Sequence, residues 1–406
     1  MSPQVRRASG PTGKWSRRAS DACVRECRPS ARHVCSVRPP VVPLLRDTEQ
    51  ASGYSCAGLA EPAGFWIMQL YTEEVRIPVA GAVLAGTLLV PTDAWPRSCL
   101  LLVSGSGAND RDETVCGHTP FRTIAEYFAA CGYAVLRCDD RGVGGSTGNA
   151  GEQDFDGAVV DAVATYGWLA DHPAVDPGRI GILGHSEGGL VAAVAGQRVG
   201  AWAVAMLAPP SVPIERLLHE QARAISAEAG ATAAQIEHER QMNERVFALA
   251  RSDRDRAAVQ LELEEVIRMY LRSWPDAPAS DEEAVGQNAR IMAAVVGTPA
   301  YRSLLRQEPA AILGRCTRPL LAVYGGRDTQ VPGVANAEQF REITAGRRGA
   351  AVMLLPDHNH LFQRAGTGSI SEYETLPPGP DAAVLRAVAS WLLTAEPHAA
   401  RDPAGT

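Results

Sequence analysis

Apolar positions along the chain fall into two kinds of run. Short unbroken runs occur at residues 99–103, 133–138, 180–184, 203–208, 319–324 and 351–355. Each has the length and continuity of a strand covered on both faces. Between them lie stretches with helical spacing. Residues 121–130 place Phe121, Ile124, Ala125 and Phe128 on one side. Behind a capping Asp154, the residues Phe155, Val159, Val163, Tyr166 and Leu169 stay in phase. An Ala/Val-rich helix is expected over 190–199 and a last one over 381–393. Ahead of all of these, residues 74–77 and 84–90 read as an antiparallel pair around an Ala80-Gly81 turn. Alternating buried strands and amphipathic helices predict an α/β protein with a doubly wound, mostly parallel sheet.

The alternation breaks after residue 213. From 215 to about 305 there is no buried-strand run, and Ala/Glu/Arg/Leu-rich stretches such as 239–250 and 257–271 take over. The expectation is a helical insertion, a lid, that rises from the carboxyl edge of the sheet. Most of its apolar residues, among them Val246, Phe247, Val266, Met269, Tyr270 and Trp274, are expected to pack its helices together. The first 67 residues are different again. They are rich in arginine and proline, poor in acids, and have no sustained apolar period, so they cannot bury enough surface to offset their ordering entropy. The expected organisation is an extension over 1–67 that is either disordered or non-native, in the latter case with translation beginning at Met68. The first part of the core spans 68–213, the lid 214–308, the second part of the core 309–395, and a flexible tail 396–406.

Composition narrows the function. A hydrophobic content of 46% with 21% charged residues is that of an ordinary globular protein. A net charge of −7 gives no basic surface for a nucleic acid, and no apolar run reaches the ~18 residues that span a bilayer, so neither nucleic acid nor membrane is expected as a partner. The nine cysteines are scattered, with no C-x-x-C and no histidine at zinc-ligand spacing. They read as reduced thiols of a cytoplasmic protein, and neither metal nor cofactor is expected.

The strand at 180–184 runs into Gly184-His185-Ser186-Glu187-Gly188, which fits the G-x-S-x-G nucleophile elbow. A serine on that corner has its hydroxyl exposed, and the helix that follows turns free N–H groups toward it. A serine hydroxyl needs a histidine base, and the base needs an acid to hold its tautomer. In a sheet with such an elbow the acid and base follow later strands, in that order. Asp328 stands just past the strand at 319–324, whereas Asp357 lies too close to the candidate histidines. The strand at 351–355 leads to His358 and His360. His360 is favoured because Leu361-Phe362 can anchor its loop, while His358 reads as a solvated loop histidine or the alternative base. Two backbone N–H groups are needed for the developing oxyanion. Glu187, after the nucleophile, and Ser106, in the loop after the third strand, are positioned to supply them.

The segments Ser104-Gly105-Ser106-Gly107 with Asp110-Arg111-Asp112-Glu113, Asp140-Arg141-Gly142-Val143-Gly144-Gly145-Ser146, Gly184-His185-Ser186-Glu187-Gly188-Gly189, Gly326-Arg327-Asp328-Thr329-Gln330-Val331-Pro332 and Asn359-His360-Leu361-Phe362 resemble a group of prokaryotic α/β-hydrolases. These are serine esterases related to the serine-aminopeptidase-like and dienelactone-hydrolase-like clans. The resemblance implies Ser186 as nucleophile, Asp328 as acid, His360 as base and Ser106 with Glu187 as oxyanion donors. It also implies that Arg141 braces the loops, with Asp110 or Asp112 as its partner. Where many relatives carry His-Gly and a later proline, this chain has Ser104 and Ala108. The function so implied is metal-free hydrolysis of a small-molecule acyl ester through an acyl-enzyme. The alternatives are amide or peptide cleavage or acyl transfer by the same residues, and a silent binding protein on the same scaffold.

Overall fold

The antiparallel pair that opens the fold forms because residues on either side of Gly81 alternate toward the sheet, and Gly81 itself takes the left-handed conformation (φ +75°) that the tight turn requires. A computed structural model describes residues 69–93, 95–275 and 282–395. The expectations for residues 1–67 and 396–406 lie outside the described residues.

Eight strands form one sheet: β1 (Leu70–Val79), β2 (Ala82–Pro91), β3 (Arg97–Val103), β4 (Ala134–Cys138), β5 (Val175–His185), β6 (Val204–Leu207), β7 (Leu320–Gly325) and β8 (Ala350–Leu355). The order across the sheet is β1-β2-β4-β3-β5-β6-β7-β8. The β1–β2 and β2–β4 pairs are antiparallel and every pair from β4 to β8 is parallel. The apolar runs read from the sequence are the sheet's centre: Leu100, Leu136, Ile182, Val204, Leu321 and Val323 are inaccessible to solvent. Helices cover both faces: α1 (Pro120–Ala130), α2 (Phe155–Ala170), α3 (Glu187–Val199), α9 (Pro309–Arg315), α10 (Gly333–Ile343) and α11 (Ala382–Thr394). Asp154 caps α2 as expected, its carboxylate accepting from the Gly157 amide at 2.8 Å.

The topology fixes where chemistry can occur. After β3 the chain moves to β4 on one side. It then crosses back over β3 to β5 and proceeds to β6 in the opposite direction. The carboxyl ends of β3 and β5 therefore flank a switch point, the crevice in which open α/β sheets bind ligands.

Between β6 and α9 lie five further helices, α4 (Ile214–Glu228), α5 (Ala233–Arg251), α6 (Arg256–Arg272), α7 (Glu282–Val296) and α8 (Pro299–Leu305). Their buried side chains, including Val246, Phe247, Leu263, Ile267, Tyr270 and Ala293, make a second hydrophobic cluster apart from that of the sheet. Met269, in contrast, is exposed.

One charge stands inside a buried strand. Arg137 on β4 donates to Asp112 at 2.6 Å, and Arg122 reaches the other carboxylate oxygen at 2.6 Å. Burial opposes ionisation of Asp112, but the two guanidiniums together hold its carboxyl below the ordinary 3.8. A depressed folded value means that the unfolded chain takes up the proton first. This contribution is complete above pH ~4 and is lost as pH falls through the folded value. Asp112→Asn, which leaves Arg137 buried without its charge partner, is expected to cost about 3–5 kcal/mol. In urea unfolding across pH 3–7, the variant should also show a shallower acid decline than the native chain.

Candidate active site

The geometry at Ser186 follows from glycine. Ser186 joins β5 to α3 with φ 53° and ψ −126°, a strained conformation for a residue with a side chain. A Cβ at 184 would overlap the Gly188 carbonyl and stand 2.7 Å from the Gly189 nitrogen. A Cβ at 188 would overlap the Ser104 carbonyl and approach that of Val103 to 2.5 Å. Only glycine lets helix α3 start this close to the ends of β3 and β5. The Ser186 amide donates to the Leu207 carbonyl at 2.8 Å, which pins the corner to β6.

The loop after β3 is held by side chains. Ser104 Oγ donates to Asp140 Oδ1 at 2.7 Å, and the Asn109 amide donates to Oδ2 at 2.8 Å. Burial pushes the Asp140 carboxyl up to about 7 against these hydrogen bonds. Asn109 Nδ2 donates to the Gly105 carbonyl at 2.9 Å. Neither the Ser106 nor the Glu187 amide donates to an acceptor among the described residues. Glu187 is the first residue of α3, where N–H groups have no helical partner. Burial raises its carboxyl to about 7, opposed by a hydrogen bond with the Ser106 side chain.

Asp328 follows β7. One oxygen accepts from the Gln330 and Val331 amides at 2.7 and 2.8 Å, the local turn that an aspartate at this position can make. The other faces His360 Nδ1 at 2.8 Å. Both residues are buried. The His360 ring lies 4.6 Å, centroid to centroid, from that of His185, the neighbour of Ser186. His358 is not a solvated loop residue. It is 4% exposed, and its Nε2 is 3.4 Å from Asp381, the residue that caps α11 and also accepts from Arg364. It is thereby tied to α11 through a different carboxylate.

The expected partner of Arg141 is wrong. Its guanidinium reaches Asp161 on α2 at 2.5 and 3.1 Å, and the Ala80 carbonyl at 2.8 Å. Asp112 is already engaged by Arg137 and Arg122. Asp110 turns back on its own loop to accept from the Asp112 and Thr114 amides.

Two features escaped sequence reasoning. Glu113 is 6% exposed with φ 53°. It lies 2.9 Å from His185 Nδ1 and accepts from the Gly105 amide at 2.7 Å. The other feature is the segment after His360. Gln330 donates to the Tyr373 hydroxyl at 3.1 Å, and His118 Nε2 lies 2.7 Å from the Tyr373 carbonyl. Gln221 of α4 donates to the Gln330 carbonyl at 2.6 Å. The sequence signal for Glu113 was its place beside Arg111 and Asp112, acids and bases clustered after a buried strand. No local signal marks Tyr373.

The sequence model of the family described as X-Pro dipeptidyl-peptidase (S15 family) matches residues 80–361. The chain is similar to the esterase EstD of Thermotoga maritima, 26% identical over 322 residues that cover 79% of this chain and 68% of that protein. Among solved structures it is similar to an esterase of Pyrococcus furiosus, with a TM-score of 0.49 and 15% identity over 89% of this chain and 98% of that one. It is also similar to a dienelactone hydrolase from Anabaena variabilis, with a TM-score of 0.44 and 16% identity over 80% of this chain and 98% of that one.

The glycine contacts carry an expectation. Gly188→Ala should lower stability by roughly 3 kcal/mol, because the added methyl must displace backbone rather than a side chain. Gly107→Ala meets nothing within 4 Å but must hold φ +104°, so its cost should come from backbone strain alone. Urea unfolding of the two variants separates the contributions.

Proposed function

Because the chain belongs to the X-Pro dipeptidyl-peptidase (S15) family, a hydrolase family, we propose that it is a serine hydrolase cleaving carboxylic esters through an acyl-enzyme on Ser186. The buried 2.8 Å pair of Asp328 and His360, packed against the residue next to Ser186, is the observation that carries this reading. In it, His360 Nε2 takes the Ser186 proton as the hydroxyl oxygen attacks the ester carbonyl. Asp328 keeps the other ring proton on Nδ1 and stabilises the imidazolium as it forms. The Ser106 and Glu187 amides receive the oxyanion. The alcohol leaves with the proton from His360. Water then repeats the sequence on the acyl-enzyme and frees the acid. The esterase name of the Thermotoga relative points the same way.

Peptide-bond cleavage is the second reading, and the family's own description favours it. The same residues serve either bond, so fold does not separate them. A panel of acyl esters and X-Pro peptide anilides does, and the ester reading expects the larger kcat/KM on esters. The helices α4–α8 are proposed to act as a lid that shapes the acyl pocket, each methylene of substrate contributing ~1–3 kcal/mol at most. A scan of those helices should move the chain-length preference at one or more positions. A profile unmoved at every position would leave them a packing unit only.

For the reacting groups, Ser186→Ala and His360→Ala are each expected to lower kcat by roughly 10⁴-fold or more with the fold intact, and Asp328→Asn by about 10⁴-fold. His358→Ala should remain active. Labelling by a fluorophosphonate should be stoichiometric and confined to Ser186. If His358→Ala proves folded and dead while His360→Ala turns over, the base has been misassigned.

A further inference from the structure

Glu113 makes two contacts that the hydrolytic reading does not use. Its Oε1 accepts from the Gly105 amide at 2.7 Å, one residue before Ser106. Its Oε2 is 2.9 Å from His185 Nδ1, one residue before Ser186. The far nitrogen of His185, Nε2, is 3.1 Å from the backbone carbonyl of His360. One carboxylate and one imidazole thus join the loop after β3, the elbow and the loop after β8. The spacing is tight: a Cβ on Gly105 would stand 3.2 Å from both Ser186 Cβ and Glu113 Oε1.

The surroundings are not those of a solvated ion pair. Phe121, Ile124, Leu207 and Phe362 line the same cavity as Glu113 and His185, and both polar residues are buried. A charged or polar pair in such a wall is poorly suited to stability, since apolar side chains of that volume would fill it without a desolvation cost. Glu113 also sits at φ 53°, and Phe362, across the cavity, at φ 57°. Strain of this kind gathers where surrounding structure over-determines a geometry.

We propose that Glu113, acting with His185, is a positioning residue that sets the oxyanion loop and the base loop against Ser186 by its reach. The proposal rests on the serine-hydrolase reading. Its content is geometric. Either a carboxylate facing an imidazolium or an amide facing a neutral imidazole satisfies both links, provided the side chain is long enough to touch Gly105 and His185 together.

That distinguishes two conservative variants. In Glu113→Gln, the amide oxygen accepts from Gly105 N–H and the amide nitrogen donates to Nδ1 of a neutral His185, which keeps its Nε2–H on the His360 carbonyl. In Glu113→Asp the charge is retained, but the side chain is one methylene short and can keep only one contact. We expect kcat per fluorophosphonate-labelled site to stay within about threefold of the native value for Gln and to fall at least about tenfold for Asp, with KM for a small activated ester little changed in either. His185→Asn, which can still reach Glu113 but not the His360 carbonyl, should lose about tenfold by the same measure. Ile124→Ala, a change in the apolar wall of the same cavity, should lower Tm and leave kcat per labelled site unchanged. A ranking with Asp equal to or above Gln would show that charge and not reach is at work, and would overturn the proposal. So would native kcat per labelled site in both Glu113→Asp and His185→Asn. If the native protein takes up the probe at a residue other than Ser186, the hydrolytic reading fails first and the proposal with it.

Discussion

Backbone against backbone, with no side chain between, is the contact on which the candidate site depends. At the carboxyl end of β5, Gly184 lies against Gly188, and Gly188 lies against the carbonyls of Val103 and Ser104 at the end of β3. This brings the first turn of α3 into the crevice between the two strands that diverge at the switch point. The positive φ of Ser186 is a consequence: a chain that must reverse from strand to helix over one residue has few other conformations available. Close approach also brings the free N–H groups of α3 beside the loop after β3. An anion held between them would meet donors from two elements whose spacing is set by packing rather than by flexible side chains.

Behind that contact the loop after β3 is stiffened by charge. Within four consecutive residues, Asp110 closes its own turn, Arg111 pairs with Asp139 and Glu74, Asp112 with Arg137 and Arg122, and Glu113 faces His185. Their partners lie on β1, on β4 and just past its end, on α1 and at the elbow. Such pairs add little net stability when buried, yet removing one partner is costly. They therefore punish displacement of the loop more than they reward its formation.

Much of this was legible in the residues. The parallel strands were visible because their central runs are covered on both faces and so are almost wholly apolar, with Arg137 of β4 the exception. The elbow was visible because close backbone contact leaves glycine no substitute. Asp328 and His360 followed from chain order, and the fold brings them together at 2.8 Å. What remained hidden depends on long-range partners. His358 and His360 are both buried, so solvation does not distinguish them. The difference is which carboxylate each meets, and Asp381 belongs to a helix start 23 residues further along. Arg141 was assigned to Asp110 or Asp112, acids of another segment of the matching motifs. Its true partner, Asp161, is a buried acid on the inner side of α2, a position where a carboxylate needs a cation. Arg137, a cation within an apolar strand, is the complementary clue for Asp112.

The proposed reacting groups would serve ester and peptide alike, so a choice between them would have to come from the surrounding residues. Helix α4 and the loops after β7 and β8 share hydrogen bonds. Gln221 of α4 holds the carbonyl of Gln330, whose amide holds Asp328. The Gln330 side chain holds Tyr373, whose carbonyl meets His118. Glu228, seven residues on from Gln221, accepts from Ser369 ahead of the short 3₁₀ helix Ile370–Thr375. A substitution in α4 that displaces Gln221 would therefore also pull on the loop at 328–331, whose aspartate meets His360. If α4–α8 act as the proposed lid, changes in α5–α7 that leave Gln221 in place leave the Asp328 loop in place, whereas changes that move Gln221 move both. Under that role, substrate preference and reactivity would be coupled through two contacts of α4, Gln221 with the Gln330 carbonyl and Glu228 with Ser369.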